Sequence, residues 1–478
     1  MTRGLLLLLC ALSSGCAHVV PECAAHGGSP WLELTSQHFV VTTNLAPPDA
    51  RAAAAQLEQA RTAVLAAFPM GDAPQLDVVV FETAAQLHEL SGDLQLDAAL
   101  THDRKGSLLL TGSAVSFLGA TQLRSMLHEL AHHFSAGALR RWPRWFEEGL
   151  ATYLETITLD ADAKMAVRGA AHEVRLDEVL RWGVLPVKSL WAWDVEPDRH
   201  NGLEEHRAAS SWFWVHFLFN EHRRELDGFM RSLAAGDEPG AAWTAAFGLL
   251  SPEAMTEAAT AYLAKKQTRS QKMDLAQLNT SLSERTVPDA QVHALLSRAA
   301  GAMGVWPRAR AEARAAMALD PHDPKALEQD AVLQELPEGR LTAARALTEA
   351  APTLAAGWLL LGLSLPASDA MGGQALDRAL EVDPRSFSTL IELAAARCAE
   401  GKCDEGVELA ERAVSLAPGD ARVQASAAIV FMQGGQCAKA VASQQRALEV
   451  LGHRASSALR AQLQARLSEY RGCSASPQ

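Results

Sequence analysis

Positive charge is scarce in this 478-residue chain: 43 Lys and Arg stand against 56 Asp and Glu, for a net charge of −13. That balance argues against nucleic acid as a partner. No low-complexity block occurs, and a composition of 48% hydrophobic and 21% charged residues is globular. Beyond the first residues, no apolar run reaches the roughly 20 residues of a membrane-spanning helix. Cysteine is sparse as well. There are seven, and Cys398, Cys403, Cys437 and Cys473 all fall in the C-terminal part at spacings unlike a zinc ribbon. The length exceeds one small core and implies two or three domains.

What is present is concentrated in His128-Glu129-Leu130-Ala131-His132, followed by Phe146-Glu147-Glu148-Gly149-Leu150-Ala151. On a helix, His128 and His132 are one turn apart, so both imidazoles can reach one ion. Glu129 is rotated by about 100° from His128 and suits a general base acting on a water. Thr121 is a plausible N-cap, and Leu123, Met126, Leu127, Leu130, Ala131 and Phe134 form an apolar stripe. Gly137 stops the helix, a turn runs to Trp142, and Pro143 can open a second helix. An antiparallel return brings Glu148 beside His132. That would give three protein ligands and an open fourth position, as a catalytic zinc site requires. The bland alternative is a core helix with two hydrogen-bonded histidines.

This pair of segments resembles the gluzincin metallopeptidases, most closely the bacterial peptidase-MA-like group. The run Glu148-Gly149-Leu150-Ala151-Thr152-Tyr153-Leu154-Glu155 carries the resemblance, and Ser36, His38 and Phe39 fit the opening common in that group. The resemblance implies one Zn2+ per chain on His128, His132 and Glu148, with Glu129 as base. Glu147 is the rival third ligand, turned elsewhere by one residue's rotation. Thr152 and Glu155 lie one and two turns beyond Glu148, where either could orient a ligand imidazole. His133 reads as a surface histidine or one beside the ligands. Ala208 to Asn220 is similar to a helix that relatives place behind the site, with Ser211-Trp212 as its marker pair. Relatives often carry a Tyr shortly before it as oxyanion donor; this chain has none there. His206 and Arg207 are substitutes, each with a solvated face as the alternative. The Gly-x-Met-Glu-Asn motif of aminopeptidase-N-like enzymes is absent, which leaves endopeptidase action favoured.

Arg3 and the apolar run Gly4 to Leu12 have signal-peptide form. Ser13-Ser14-Gly15-Cys16 resembles a bacterial lipobox, with Ser13 where Leu is usual. Lipidation at Cys16 is expected, with plain secretion as the alternative. Either way the protein would be exported, as an envelope lipoprotein facing the periplasm or a secreted chain. The divisions expected are a signal peptide over 1–15, a tether over 16–30, an α+β zincin-like peptidase domain over 31–265, a linker over 266–290, and all-α tetratricopeptide-like repeats over 291–473. Cys23 has no evident partner in the tether.

Within the first domain, Leu76 to Phe81 is a buried strand, and Gly106 to Gly112 is suggested as an edge strand that pairs with extended substrate. The tryptophans between 182 and 243 read mostly as core. In the second domain Pro321, Pro352, Pro384 and Pro418 recur at 31 to 34 residues, each after an Ala- and Leu-rich helix. Leu459 to Tyr470 would cap the array. In that register Cys437 lies beside Cys473, and Cys398 and Cys403 flank one turn. Both pairs are expected as disulfides, with four buried thiols as the alternative.

The function expected is zinc-dependent peptide hydrolysis, with repeats that bind protein and membrane contact only through a lipid anchor. The alternative is an envelope lipoprotein scaffold with a vestigial zinc site, acting through its repeats. Metal-dependent hydrolysis of another bond is a third reading.

Overall fold

The computed structural model describes residues 23–474, apart from 69–72, 104, 113–119, 139–142, 161–163, 194–202, 249, 266–268, 277–280, 367–368 and 452–456. The expected signal peptide, Cys16 and the turn ending at Trp142 lie outside the described residues.

A single 3-10 turn, Ala24–His26, leads into β1 (Leu32–Thr35), β2 (Phe39–Thr43), α1 (Pro47–Ala67), β3 (Leu76–Phe81), α2 (Ala84–Ser91), β4 (Ala98–His102) and β5 (Ser107–Gly112). The sheet order is β4-β5-β3-β2-β1-β9, where β9 is Ser283–Thr286. β2, β3 and β5 run parallel, while β1, β4 and β9 pair antiparallel. The central strands read as continuous apolar runs because both faces are buried. Val78 and Val80 of β3 point into one core, and Val79 and Phe81 into another.

The first core lies under α1, α3 (Ala120–Ala138) and α4 (Arg144–Leu154). After α4 come β6 (Thr158–Leu159), β7 (Met165–Arg168), α5 (Glu173–Trp182), α6 (Val187–Trp191), α7 (Leu203–Glu221), α8 (Arg223–Ala235), α9 (Pro239–Phe247) and α10 (Pro252–Ala264). β8 (Gln271–Asp274) completes a small sheet, β6-β7-β8. Trp193, Trp212, Trp214 and Trp243 are buried, as expected for core residues, and Trp191 is half-buried. Trp182 is not: it ends α5 with 67% of its surface exposed.

The rest of the described chain is an all-α array of tetratricopeptide-like hairpins: α11 (Asp289–Ala302) with α12 (Trp306–Leu319), α13 (Pro324–Leu333) with α14 (Pro337–Ala350), α15 (Ala355–Leu363) with α16 (Ala370–Val382), α17 (Phe387–Ala399) with α18 (Cys403–Leu416), and α19 (Ala421–Gln433) with α20 (Cys437–Val450). α21 (Ser457–Ser474) packs on α20 as a cap. Pro321, Pro352, Pro384 and Pro418 each fall two residues after a second helix, where a missing N–H does no harm. Asp323, Asp369, Ser386 and Asp420 open first or second helices by accepting backbone N–H groups. The structure pairs Cys398 with Cys403 across the α17–α18 turn, and Cys437 with Cys473 between α20 and α21.

Three expectations need correcting. β5 is interior, flanked by β3 and β4, and β4 holds the free edge instead. β4, Ala-Ala-Leu-Thr-His, opens on two alanines and ends polar, with no alternation strong enough to mark it. The supposed linker 266–290 contains β8 and β9, and β9 extends the main sheet. β9 is exposed at every residue, so no burial pattern announces it. Backbone pairing and the cross-strand pair Glu33–Arg285 (2.6 and 2.7 Å) hold it instead. Finally, residues 23–30 are not a free tether. Cys23 is fully buried, in one core with Trp31, Phe81, Leu296 and Ala309. The first repeat hairpin therefore covers the second face of the sheet. Arg298 of α11 pins it there, bonding Asp77 and Asp103 at 2.5 Å each.

Candidate metal centre

α3 runs from Ala120, one residue before the expected cap Thr121, and passes Gly137 to end at Ala138. Met126, Leu127, Leu130, Ala131 and Phe134 bury its apolar stripe. That leaves His128, Glu129 and His132 on the partly open side. α4 returns beside it with its first turn opened by Pro143, and packs on α7 through Gly149. A Cβ on Gly149 would sit 2.7 Å from the Ser211 carbonyl carbon and 2.9 Å from Val215 Cγ2. α7, carrying Ser211-Trp212, thus stands directly behind the residue next to Glu148.

Three ligand-type atoms converge. His128 Nε2 and His132 Nε2 are 3.1 Å apart, and Glu148 Oε2 lies 3.7 Å from the first and 4.0 Å from the second. Zinc bonds of 2.0–2.1 Å in a tetrahedron place ligand atoms about 3.3 Å apart. The observed spacings bracket that figure, so the donor set fits zinc. The remaining ring nitrogens are occupied in the way such a site needs. His128 Nδ1 donates to Glu155 Oε2 at 2.8 Å, and His132 Nδ1 donates to Glu147 Oε1 at 3.3 Å. Each carboxylate fixes the ring and leaves its Nε2 lone pair facing inward. Glu147, the rival ligand, therefore takes a supporting place.

Charge in the pocket is strongly acidic. Burial alone would lower the His132 pKa. The Glu147 hydrogen bond and the charges of Glu148, Glu147 and Glu129 overcome it and raise the pKa to about 9. A cluster that favours a cation this strongly suits a divalent ion. Glu155 is opposite in sign. Burial pushes its pKa up, but hydrogen bonds from His128 and His172 hold it down at about 2.

Glu129 lies on the same helix as the two histidines. Its Oε2 accepts the Leu100 N–H at 3.2 Å, from the middle of edge strand β4. This N–H faces outward from the sheet, on the side of β4 where no described strand pairs.

Other expected site residues fare differently. Thr152 is buried in α4 and, among the described residues, makes no hydrogen bond to either imidazole. His206 is half-buried, and its Nε2 donates to Gly183 O at 2.8 Å. Arg207 is buried on the same helix. His133 is not at the surface; it is buried, and its Nε2 donates to Pro74 O at 3.3 Å. His172 escaped the sequence reading. It caps α5 by accepting Arg175 N–H through Nδ1, and its Nε2 donates to Glu155 Oε1 at 2.8 Å. Its place opposite Glu155 arises from the β6–β7 excursion, and nothing in its spacing from the motif marks it.

No family profile matches the chain, and no curated protein matches it. Among solved structures, similarity is found to TTC0263, a thermophilic TPR protein in Thermus thermophilus (19% identity, 38% of this chain and 98% of that one, TM-score 0.33). PilW, a widely conserved type IV pilus biogenesis factor, gives 16% identity over 38% of this chain and 86% of its own, with a TM-score of 0.32. YrrB, a TPR protein with an unusual peptide-binding site, gives 16% identity over 37% and 90%, with a TM-score of 0.27.

Proposed function

We propose that the chain is a zinc-dependent peptidase of gluzincin type, with a zincin-like N-terminal domain and repeats that hold a protein partner. One observation carries this reading: His128, His132 and Glu148 present three ligand atoms within 4.8 Å of one another, with Glu129 on the same helix. Zinc, when bound there, supplies a Lewis acid that polarises a carbonyl and acidifies water. The protein does the rest. Glu155 and Glu147 hold the two imidazoles in the ligand tautomer. Glu129 keeps one oxygen on Leu100 N–H and uses the other to take a proton from water, then passes it to the leaving amine.

Substrate positioning follows from the same bond. Along β4, alternate N–H and C=O groups face away from β5, and among the described residues no strand pairs there. An extended peptide could add to that edge beside the ligands. His206 and Arg207 are proposed as oxyanion donors with the weaker claim, because the His206 Nε2 proton already serves Gly183 O. An endopeptidase fits a site entered along a strand edge.

The repeats support a second reading, a scaffold whose metal site is vestigial. A groove of about 750 Å³ opens among α12, α13 and α14, lined by Met317, Leu327, Ala343 and Ala346 together with Asp330 and Glu349. Such a groove suits a partner segment. The disulfides suit an oxidising compartment, in keeping with export to the envelope. No described helix is long and apolar enough to cross a membrane.

Two measurements separate the readings. Zinc should copurify or bind stoichiometrically at this centre, and Glu129→Ala should abolish cleavage in a peptide library while retaining zinc. Zinc binding with no cleavage by the wild-type chain, together with capture of a partner by the repeats, would favour the scaffold.

A further inference from the structure

A second group of metal-type ligands lies in the other core, beside α11. Cys23 belongs to neither disulfide and is fully buried. Its Sγ lies 3.5 Å from His26 Nδ1, and that nitrogen lies 3.1 Å from His293 Nε2. His293 is buried near the start of α11. All three atoms fall within 4.8 Å of one another.

These spacings are those of a coordination sphere. With zinc–sulfur near 2.3 Å and zinc–nitrogen near 2.0–2.1 Å, a tetrahedron sets S···N at about 3.5 Å and N···N at about 3.3 Å. The surroundings match as well. His293 Nδ1 donates to Glu312 Oε2 at 2.5 Å, which leaves its Nε2 lone pair facing Cys23 and His26. Glu312 is itself buried and held by Arg308 at 2.7 Å. A carboxylate behind a ligand imidazole is the usual support for a metal-binding histidine. Cys23 and His26 are three residues apart across the 3-10 turn, closed by Gly27 at φ +92°, and Ala25 N–H donates to Asp289 Oδ2 at 2.9 Å. The turn is thereby fixed against the first turn of α11 before any ion arrives.

We propose that Cys23, His26 and His293 form a second metal site, a thiolate with two imidazoles for a zinc-class divalent ion. The ion clips residues 23–30 onto the first repeat hairpin. Binding expels the thiol proton to solvent, and the fourth position opens beside exposed His26. The site uses no residue of the first centre and does not depend on the peptidase reading.

The test uses the full-length chain, unreduced so that the two disulfides persist, titrated with Co2+. A thiolate ligand gives a sulfur-to-cobalt charge-transfer band in the near ultraviolet, which the His128, His132 and Glu148 set lacks. The wild-type chain should show the band. A chain with His128→Ala and His132→Ala should keep it at one ion per chain. Cys23→Ser should abolish it. Should Cys23→Ser fail to fold, His26→Asn alters a residue that is exposed apart from its contacts with Cys23 and His293, and should weaken the binding that gives the band by roughly tenfold or more. Cobalt uptake by the wild-type chain without the band, or a band that survives Cys23→Ser, overturns the proposal.

Discussion

Gly149 is the residue through which packing sets the proposed metal site. It follows Glu148 on α4, and its Cα faces the α7 backbone. An added Cβ would collide with Ser211 O, lie 2.7 Å from the Ser211 carbonyl carbon and lie 2.9 Å from Val215 Cγ2. Carbon contacts are comfortable near 3.5–4.0 Å, so Gly149→Ala needs roughly 1 Å of separation. α7 cannot yield easily, because Trp212, Trp214 and Val215 are fully buried in the same core. α4 must move instead and take Glu148 with it. Overpacking of this kind costs about 1–3 kcal/mol. At about 2–4 °C per kcal/mol, melting falls by roughly 2–12 °C. A ligand displaced by about 1 Å should weaken zinc binding roughly tenfold or more. Thermal melts followed by circular dichroism, with zinc competition against a chromophoric chelator, read both effects. Gly240→Ala is the control: it lies in α9 with open space around the new Cβ, so stability and zinc affinity should hold or rise slightly. If Gly149→Ala melts with wild type and binds zinc as tightly, close helix approach does not position Glu148.

Other outcomes follow from the same structure. Glu155→Gln keeps one acceptor oxygen for two imidazoles and loses the charge, and should lower zinc affinity by about 10–100-fold, measured by the same competition. His216 is fully buried, and burial, opposed by its bond to Gly169 O, lowers its pKa from 6.5 to about 4. The unfolded chain binds a proton there between pH 6.5 and 4 and the folded chain does not, so stability falls as pH drops through that window. The loss is at most about 3 kcal/mol, and His216→Gln should flatten this part of the stability–pH curve. Arg298→Met leaves Asp77 and Asp103 without their shared partner and should destabilise the chain by about 2–3 kcal/mol in urea, since Asp77 is partly solvated. Thiol titration of unreduced protein should find Cys398, Cys403, Cys437 and Cys473 unreactive; four free thiols among them would contradict the pairing.

The sequence by itself determined what depends on local spacing. One turn of helix places His128 and His132 on a shared face, and a short turn with Pro143 suffices to bring back a helix bearing Glu148. The proline period marks the hairpins, and helix lengths within them place each cysteine beside its partner. Tertiary structure alone decided what depends on pairing between distant segments. The edge beyond β5 belongs to β4, because sheet order is settled by which backbones meet, and nothing along the chain marks β4 as a strand. β9 is invisible as a strand since it buries no side chain and is held by hydrogen bonds and Arg285. His172 reaches Glu155, and Leu100 reaches Glu129, across loops that carry no pattern. His293, 267 residues from His26 and opposite Cys23, is an ordinary helix residue until the first hairpin folds over the sheet. Local periodicity reports which face a residue occupies; only the packed chain reports what that face meets.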